Sequence, residues 1–162
     1  FCDTTSCTHT LLFETGGDIL TPENREKYKQ LKIMDITQWL KEVVLPRIKV
    51  IRPKNRILLH PTCSCQIMGL TPVLLDIARK CAREVILPDN WGCCGASGDR
   101  GFIFPELSDS ATRDERDEIG HESFDGCYSL ARTCEIAMQD HIEQPYESIV
   151  YLVDETIQDQ GT

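Results

Sequence analysis

The chain has no hydrophobic run long enough to cross a bilayer, for which a helix needs about 20 consecutive apolar residues. Its longest apolar stretch, residues 40–45, already contains Lys41 and Glu42. Basic residues are also scarce, because the formal net charge is -9 and the only basic cluster is short, at residues 47–56. A protein that binds nucleic acid neutralises phosphates with lysine and arginine. We therefore expect neither a transmembrane segment nor nucleic acid binding.

The sequence also lacks an initiator methionine and a signal-peptide pattern, since it opens with Phe1 and Cys2. This opening is typical of a sequence that begins inside a longer polypeptide. The 162 residues are 41% hydrophobic and 27% charged, which is ordinary for one soluble domain that buries a core without disulfides. We expect a single cysteine-rich domain over residues 1–162.

Hydrophobic spacing predicts several helices. Apolar residues repeat at the spacing of one helix face over residues 35–46 and again over residues 71–81, where Thr71 is the expected N-cap. The acidic stretch 108–122 is expected to be an exposed helix whose charges are solvated. A further helix is expected to begin after Thr133 as its N-cap.

Short apolar runs predict strands at residues 56–60 and 84–87, and residues 127–131 predict a third. The first two strands and the helix between them occupy about 30 residues, the length of a parallel crossover unit. The predicted fold class is therefore α/β. It consists of a small parallel sheet flanked by helices, with cysteine-bearing loops at the carboxyl ends of the strands.

Nine cysteines are more than such a domain needs, and an odd number cannot all pair. Cys81 falls on the inner stripe of the second helix and is expected to be a core residue. The others of interest follow the predicted strands: Cys63, Cys65, Cys93, Cys94 and Cys134. Loops that leave the carboxyl ends of parallel strands converge on one crevice. Four thiols in one crevice predict a site for a thiophilic metal.

Cys134 is expected in the first turn of its helix, where free N–H groups and the helix dipole favour a thiolate. Cys7, behind Ser6, repeats this arrangement. In the loop at residues 93–101, Gly95 and Gly98 would let the backbone approach a bulky ligand and direct N–H groups toward anionic sulfur.

Two further side chains are candidates for catalysis. Arg100, next to Asp99, is expected either to form a buried or interface ion pair or to bind a substrate carboxylate. His60, before Pro61, has three readings: a metal ligand, an acid–base group or a core histidine with satisfied hydrogen bonds.

The motif Cys93-Cys94-Gly95 resembles the cysteine-rich CCG domain of heterodisulfide reductases and glycolate oxidase iron-sulfur subunits. That family carries the repeat twice and binds iron-sulfur clusters or zinc. By resemblance, residues 56–158 are the second repeat and residues 1–34 the tail of the first. The implied metal ligands are Cys63, Cys93, Cys94 and Cys134, with Cys65 and Cys7 as further candidates.

More narrowly, the runs at residues 60–63, 98–102, 105–107 and 132–135 resemble the carboxy-terminal region of FAD-linked D-lactate dehydrogenases. The resemblance implies a parent chain that binds FAD in a separate flavin domain and passes electrons through ferredoxin-like and cysteine-rich parts to a quinone or cytochrome. It also implies a cytoplasmic location, or one peripheral to the cytoplasmic membrane. The isolated domain is expected to bind no flavin and to lack catalytic activity.

The chain departs from the family pattern at Ala131, where the later C-x-x-C motif has its first cysteine. Cys65 or Cys127 would have to supply a fifth thiol, and a four-thiolate site for a 4Fe-4S cluster or for zinc is the simpler expectation. Three functions follow. They are electron transfer, a thiol–disulfide site of heterodisulfide-reductase type, and a structural zinc scaffold for subunit docking.

Overall fold

The computed structural model describes residues 2–15 and 19–157. Its first part contains short elements around a two-stranded parallel sheet. These elements are β1 (Cys2–Asp3), α1 (Thr5–His9), α2 (Pro22–Lys29), β2 (Met34–Asp35) and α3 (Ile36–Trp39). Helix α1 continues as a π-helical turn over Thr10–Glu14, and α3 continues as another over Leu40–Val44. Asp35 begins α3 with a capping box, in which its carboxylate accepts from N–H groups of the first turn and its own N–H donates to Gln38 Oε1 at 3.2 Å.

The main sheet has four parallel strands in the order β4-β3-β5-β6. The strands are β3 (Lys54–Leu59), β4 (Ala82–Ile86), β5 (Gly126–Ser129) and β6 (Tyr146–Ser148). The helices between and after them are α4 (Cys63–Ile67), α5 (Thr71–Cys81), α6 (Arg100–Ile103), α7 (Pro105–Ile119), α8 (Arg132–Ile142) and α9 (Ile149–Thr156). The predicted α/β class with a parallel sheet flanked by helices is confirmed.

Helices cover both faces of this sheet, and the interior strand β3 has apolar side chains on both of its sides. Ile57 and Leu59 pack with α5, α9 and the segment that follows α3. Leu58, which points the other way, packs with α7 and α8. The predicted core position of Cys81 is confirmed, because it is fully buried among the α5 and α9 residues.

Two predicted helix boundaries are wrong by one or two residues. The N-cap of α5 is Leu70 rather than Thr71, and α8 begins after Ala131 rather than after Thr133. The extended backbone of Ala131 turns directly into the helix, so Thr133 already has helical geometry. Cys134 nevertheless lies in the first turn of α8, as predicted.

The acidic stretch is a helix, α7, and most of its charged residues are exposed. One stripe is buried, however, and consists of Ser108, Thr112, Glu115 and Ile119. The expectation that all the charges are solvated is therefore wrong for Glu115. In residues 2–15 and 19–157 no helix has the length and apolar character that crossing a membrane requires.

Candidate thiol site

The predicted thiols lie at the carboxyl ends of three neighbouring strands. Strand β3 is followed by α4 on one face of the sheet, and β5 is followed by α8 on the other. Connections that leave in opposite directions open a crevice between the two strand ends, where α/β proteins bind ligands. Cys63 opens α4, Cys134 lies in the first turn of α8, and Cys93 and Cys94 lie in the loop after β4.

Four thiols form one connected cluster, which we call the thiol cluster: Cys63, Cys93, Cys94 and Cys134. The Sγ atoms of Cys94 and Cys134 are 2.9 Å apart. Cys93 interacts with Cys94 on one side and with Cys63 on the other. Cys94 and Cys134 are buried, whereas Cys63 and Cys93 are exposed. The cluster therefore extends from the protein interior to its surface.

Local sequence fixes the two helix starts that carry these thiols. Thr62 has extended backbone and its Oγ1 accepts from the Cys65 N–H at 3.2 Å, so the chain turns into α4 at Cys63. The start of α8 has no side-chain cap. Its first-turn N–H groups are not consumed by a capping side chain, which leaves a favourable environment for negative charge beside Cys134.

The glycines of the loop have two different roles. Gly95 has φ of 74°, and a Cβ there would lie 2.6 Å from the carbonyl oxygen of Leu107 and 2.7 Å from Cα of Ser108. The loop is therefore pressed against the start of α7. The Gly95 N–H donates to Cys93 Sγ at 3.4 Å. Gly98 has φ of 75° with open space around its Cα, so it serves the turn itself.

The surroundings raise the pKa of three clustered thiols, those of Cys63, Cys93 and Cys94. The Cys134 contact raises the pKa of Cys94 to about 12. The Cys94 contact, with burial, raises the pKa of Cys93, and burial is the main cause that raises the pKa of Cys63. Neighbouring thiols oppose one another's ionisation because each thiolate would be a like charge. Binding a cation here would release protons.

His60, directly after β3, forms a buried pair with Glu115 of α7. Both residues are 1% exposed, and His60 Nδ1 lies 2.9 Å from Glu115 Oε2. The His60 N–H donates to the carbonyl of Tyr128, and its own carbonyl accepts from Ser129 Oγ, both at 2.9 Å. The other ring nitrogen, Nε2, is buried and has no hydrogen-bond partner among residues 2–15 and 19–157. His60 is thus not a core histidine with satisfied hydrogen bonds.

The remaining predicted residues lie around the thiol cluster. Cys65 is buried on the opposite side of the sheet from Cys94, and burial raises its pKa to about 12. Cys127 shares the buried cluster of Cys94, and its thiol donates to Gln144 Oε1 at 3.4 Å. Neither is part of the chain of contacting thiols described above.

Two exposed candidates remain. Cys7 is exposed on α1. Helix α1 lies beside α4, where Ser6 Oγ is 3.0 Å from Ser64 Oγ. Asp99 and Arg100 are also exposed, so the buried ion pair considered for them is wrong. The side chain of Cys2 lies outside the described residues, as does residue 158, the predicted end of the second repeat.

Sequence reasoning missed Glu115. The available signal was its place on the i, i+4, i+7, i+11 stripe of an otherwise charged helix, where a buried carboxylate needs a partner. His60, the only histidine inside a predicted strand, was the natural partner to consider.

The donor set suits a thiophilic metal, since thiolate and imidazole are the ligands that zinc and iron-sulfur centres use. The buried, unpartnered Nε2 of His60 fits such a group as well. Within residues 2–15 and 19–157, however, no three histidine, cysteine or acidic side chains already surround a point where a metal ion would bind. Each thiol of the cluster contacts the next one, so the side chains must rotate before all four can bind the same metal.

No protein-family model matches the chain, and no curated protein matches it.

Proposed function

We propose that this chain is the iron-sulfur electron-transfer domain of an FAD-linked dehydrogenase that oxidises a D-2-hydroxyacid resembling D-lactate. One observation carries the proposal. Four cysteines from three separate segments form a single thiol cluster at the crevice of a parallel sheet. Core packing alone does not require this arrangement, because Cys65 and Cys81 are also buried, and the side chains that hydrogen-bond with their thiols are Thr71 and Thr156 rather than cysteines.

In this proposal Cys63, Cys93, Cys94 and Cys134 hold the group, a 4Fe-4S cluster or, in the isolated domain, zinc. A bound iron-sulfur cluster supplies the ability to accept and release single electrons. The chain's own residues then tune and shield it. The Gly95 N–H donates toward Cys93 Sγ, and such a donor stabilises negative charge on sulfur. Cys94 and Cys134 exclude water on the inner side, while Cys63 and Cys93 form the exposed edge.

The flavin chemistry belongs to another part of the parent polypeptide. A flavin domain oxidises the hydroxyacid, and ferredoxin-like segments and this domain carry electrons to a quinone or cytochrome. The domain alone binds no flavin and does not turn over substrate. We place the parent protein in the cytoplasm or peripheral to the cytoplasmic membrane, as the resemblance to FAD-linked D-lactate dehydrogenases implies.

A second candidate is a thiol–disulfide site. It is favoured by the 2.9 Å separation of Cys94 Sγ and Cys134 Sγ. A disulfide bond is about 2.05 Å long, so a small movement would join the two sulfurs. The pair would then pass two electrons and two protons to a disulfide substrate, which leaves as two thiols.

The test is anaerobic reconstitution of the chain with iron and sulfide, followed by metal and sulfide assays and electron paramagnetic resonance. Stoichiometric iron and sulfide with a paramagnetic reduced state support electron transfer. Tightly held zinc with no iron uptake would instead indicate the structural scaffold. A chain that holds no metal but reduces disulfides would favour the thiol–disulfide site.

Two matched variants separate ligands from core cysteines. Cys134→Ser should abolish metal uptake because it removes a thiol of the cluster, whereas Cys81→Ser should retain it and lose only stability. Equal losses of iron in both variants would contradict the division made here.

A further inference from the structure

The His60–Glu115 pair defines the chemical character of the histidine's free nitrogen. Glu115 presents both carboxylate oxygens to Nδ1, at 2.9 and 3.2 Å. A carboxylate accepts, so Nδ1 carries the proton and donates. In the neutral ring the proton is then absent from Nε2. Nε2 therefore offers a lone pair in the protein interior, where an unpartnered polar atom is costly.

The ring lies on the side of the sheet that carries the inner thiols. Side chains alternate along a strand, and His60 follows Leu58 by two positions, so it shares the face of Leu58. That face is the one packed with Cys94 and Cys134. Glu115 approaches from α7, whose residue Ile119 belongs to the same buried cluster. His60 is also at the strand end, three residues before Cys63, and so borders the crevice.

The ring is held rigidly in this place. The His60 main chain bonds to Tyr128 and Ser129 of the neighbouring strand, and Glu115 fixes the rotation of the imidazole. Metal-binding histidines characteristically donate their second nitrogen to a carboxylate in this way, which fixes the tautomer and raises ligand basicity. A histidine that merely filled space would have no need of a buried anion behind it.

We propose that His60 Nε2 is a nitrogen ligand of the metal held by the thiol cluster, with Glu115 as the residue that positions it. The inference rests on the metal site of the proposed function and adds imidazole to its ligands. For a tetrahedral ion such as Zn²⁺, which takes four ligands, the imidazole replaces one of the four thiolates, and the set becomes three thiolates and one imidazole. For an iron-sulfur cluster, His60 ligates one iron, a substitution that raises the reduction potential relative to all-cysteine ligation.

Zinc is the probe, because it binds without cluster assembly. The chain is loaded with Zn²⁺ under reducing, oxygen-free conditions, and X-ray absorption at the zinc edge resolves the ligand shells. We expect sulfur at about 2.3 Å and one nitrogen at about 2.0–2.1 Å. His60→Asn should lose the nitrogen shell. Zinc affinity, measured by competition with a chromophoric chelator, should fall in both His60→Asn and Glu115→Gln.

Glu115→Gln is the sharper variant, since it keeps size and shape. Its amide can donate to Nδ1 and so transfer the ring proton to Nε2, which removes the free lone pair. We expect a loss of about 10–100-fold in zinc affinity, as for other residues that orient a ligand. His121→Ala, at an exposed histidine in the turn just after α7, is the matched control and should bind zinc as the wild type does. Circular dichroism verifies that each variant is folded.

The outcomes distinguish this inference from the function on which it rests. A sulfur-only shell in the wild type overturns the role of His60 and leaves the thiolate site intact, as does a nitrogen shell that persists in folded His60→Asn. If the wild type binds no zinc, the His60 inference fails, and the separate iron and sulfide assay decides the electron-transfer proposal. The role of His60 is supported if folded His60→Asn loses the nitrogen shell and Glu115→Gln binds zinc more weakly than the wild type.

Discussion

Replacing Gly95 with alanine should destabilise the domain and displace the loop that carries Cys93 and Cys94. Gly95 has φ of 74°, a left-handed conformation that costs a non-glycine residue about 1–2 kcal/mol. The added Cβ would also lie 2.6 Å from the carbonyl oxygen of Leu107. That oxygen belongs to the first turns of α7 and has little freedom to move, so overpacking adds about 1–3 kcal/mol. The expected total is about 2–5 kcal/mol.

Gly98→Ala provides a matched control. Gly98 has φ of 75°, but an added Cβ would meet nothing within 4 Å. This variant therefore suffers the conformational cost alone, about 1–2 kcal/mol. Alanine also restricts the unfolded chain, but that effect is shared by the two variants and cancels in their difference. The difference between the variants thus isolates the close approach of the loop to α7.

Urea unfolding monitored by circular dichroism gives the free energy of unfolding for both variants. A second measurement, the rate at which Cys94 and Cys134 are joined by a mild oxidant, reports whether the loop has moved. Gly95→Ala should lower stability more than Gly98→Ala and slow the joining of the two thiols. Equal destabilisation with unchanged oxidation would refute the reasoning, because it would mean that the loop is not held against α7.

Two other predictions concern charge and exposure. Glu118 accepts hydrogen bonds from the N–H groups of Asn90 and Asp89 at 2.8 and 2.7 Å, and these bonds lower the pKa of its carboxyl. The Glu118 carboxylate therefore contributes its full stabilisation above the pKa that it has in the unfolded chain. That stabilisation is lost as the pH falls through the lower pKa of the folded protein. The wild type should lose more stability than Glu118→Gln between neutral pH and about pH 3, and parallel losses would remove Glu118 from the account. In the metal-free, reduced protein, peptide mapping after brief alkylation should find Cys7, Cys63 and Cys93 modified before the buried thiols, since these three are exposed. Cys65, Cys81 and Cys127 are buried and serve as comparison thiols, so their early modification would contradict the burial described here.

Much of the fold could be predicted from local pattern. The apolar run in β3 can be buried only between two helical layers, and the inner stripe of α5 follows from 3.6-residue spacing. The order of the strands could not be predicted, because nothing in the residues of β5 indicates whether it pairs with β3 or with β4. That choice, β5 beside β3 rather than beside β4, is what opens the crevice at the thiols.

The site was predictable in its cysteines and not in its carboxylate. Cysteines are few and chemically distinctive, so their positions after strands were informative. Glu115 stands among acidic neighbours, and only its burial distinguishes it from Asp114 or Glu118. The pairing with His60 spans 55 residues in sequence, and it depends on how α7 lies across the sheet, which no local pattern specifies.

In the proposed metal site, charge explains why a histidine would join the thiol cluster. Four thiolates in one crevice would repel one another, and the protein already has a net charge of -9. Burial and neighbouring thiols raise the pKa values of Cys63, Cys93 and Cys94, so these three thiols stay protonated without a cation. In the proposed metal site, a bound cation would replace the protons of these thiols. His60, as a neutral imidazole, would add a ligand to that site without adding negative charge.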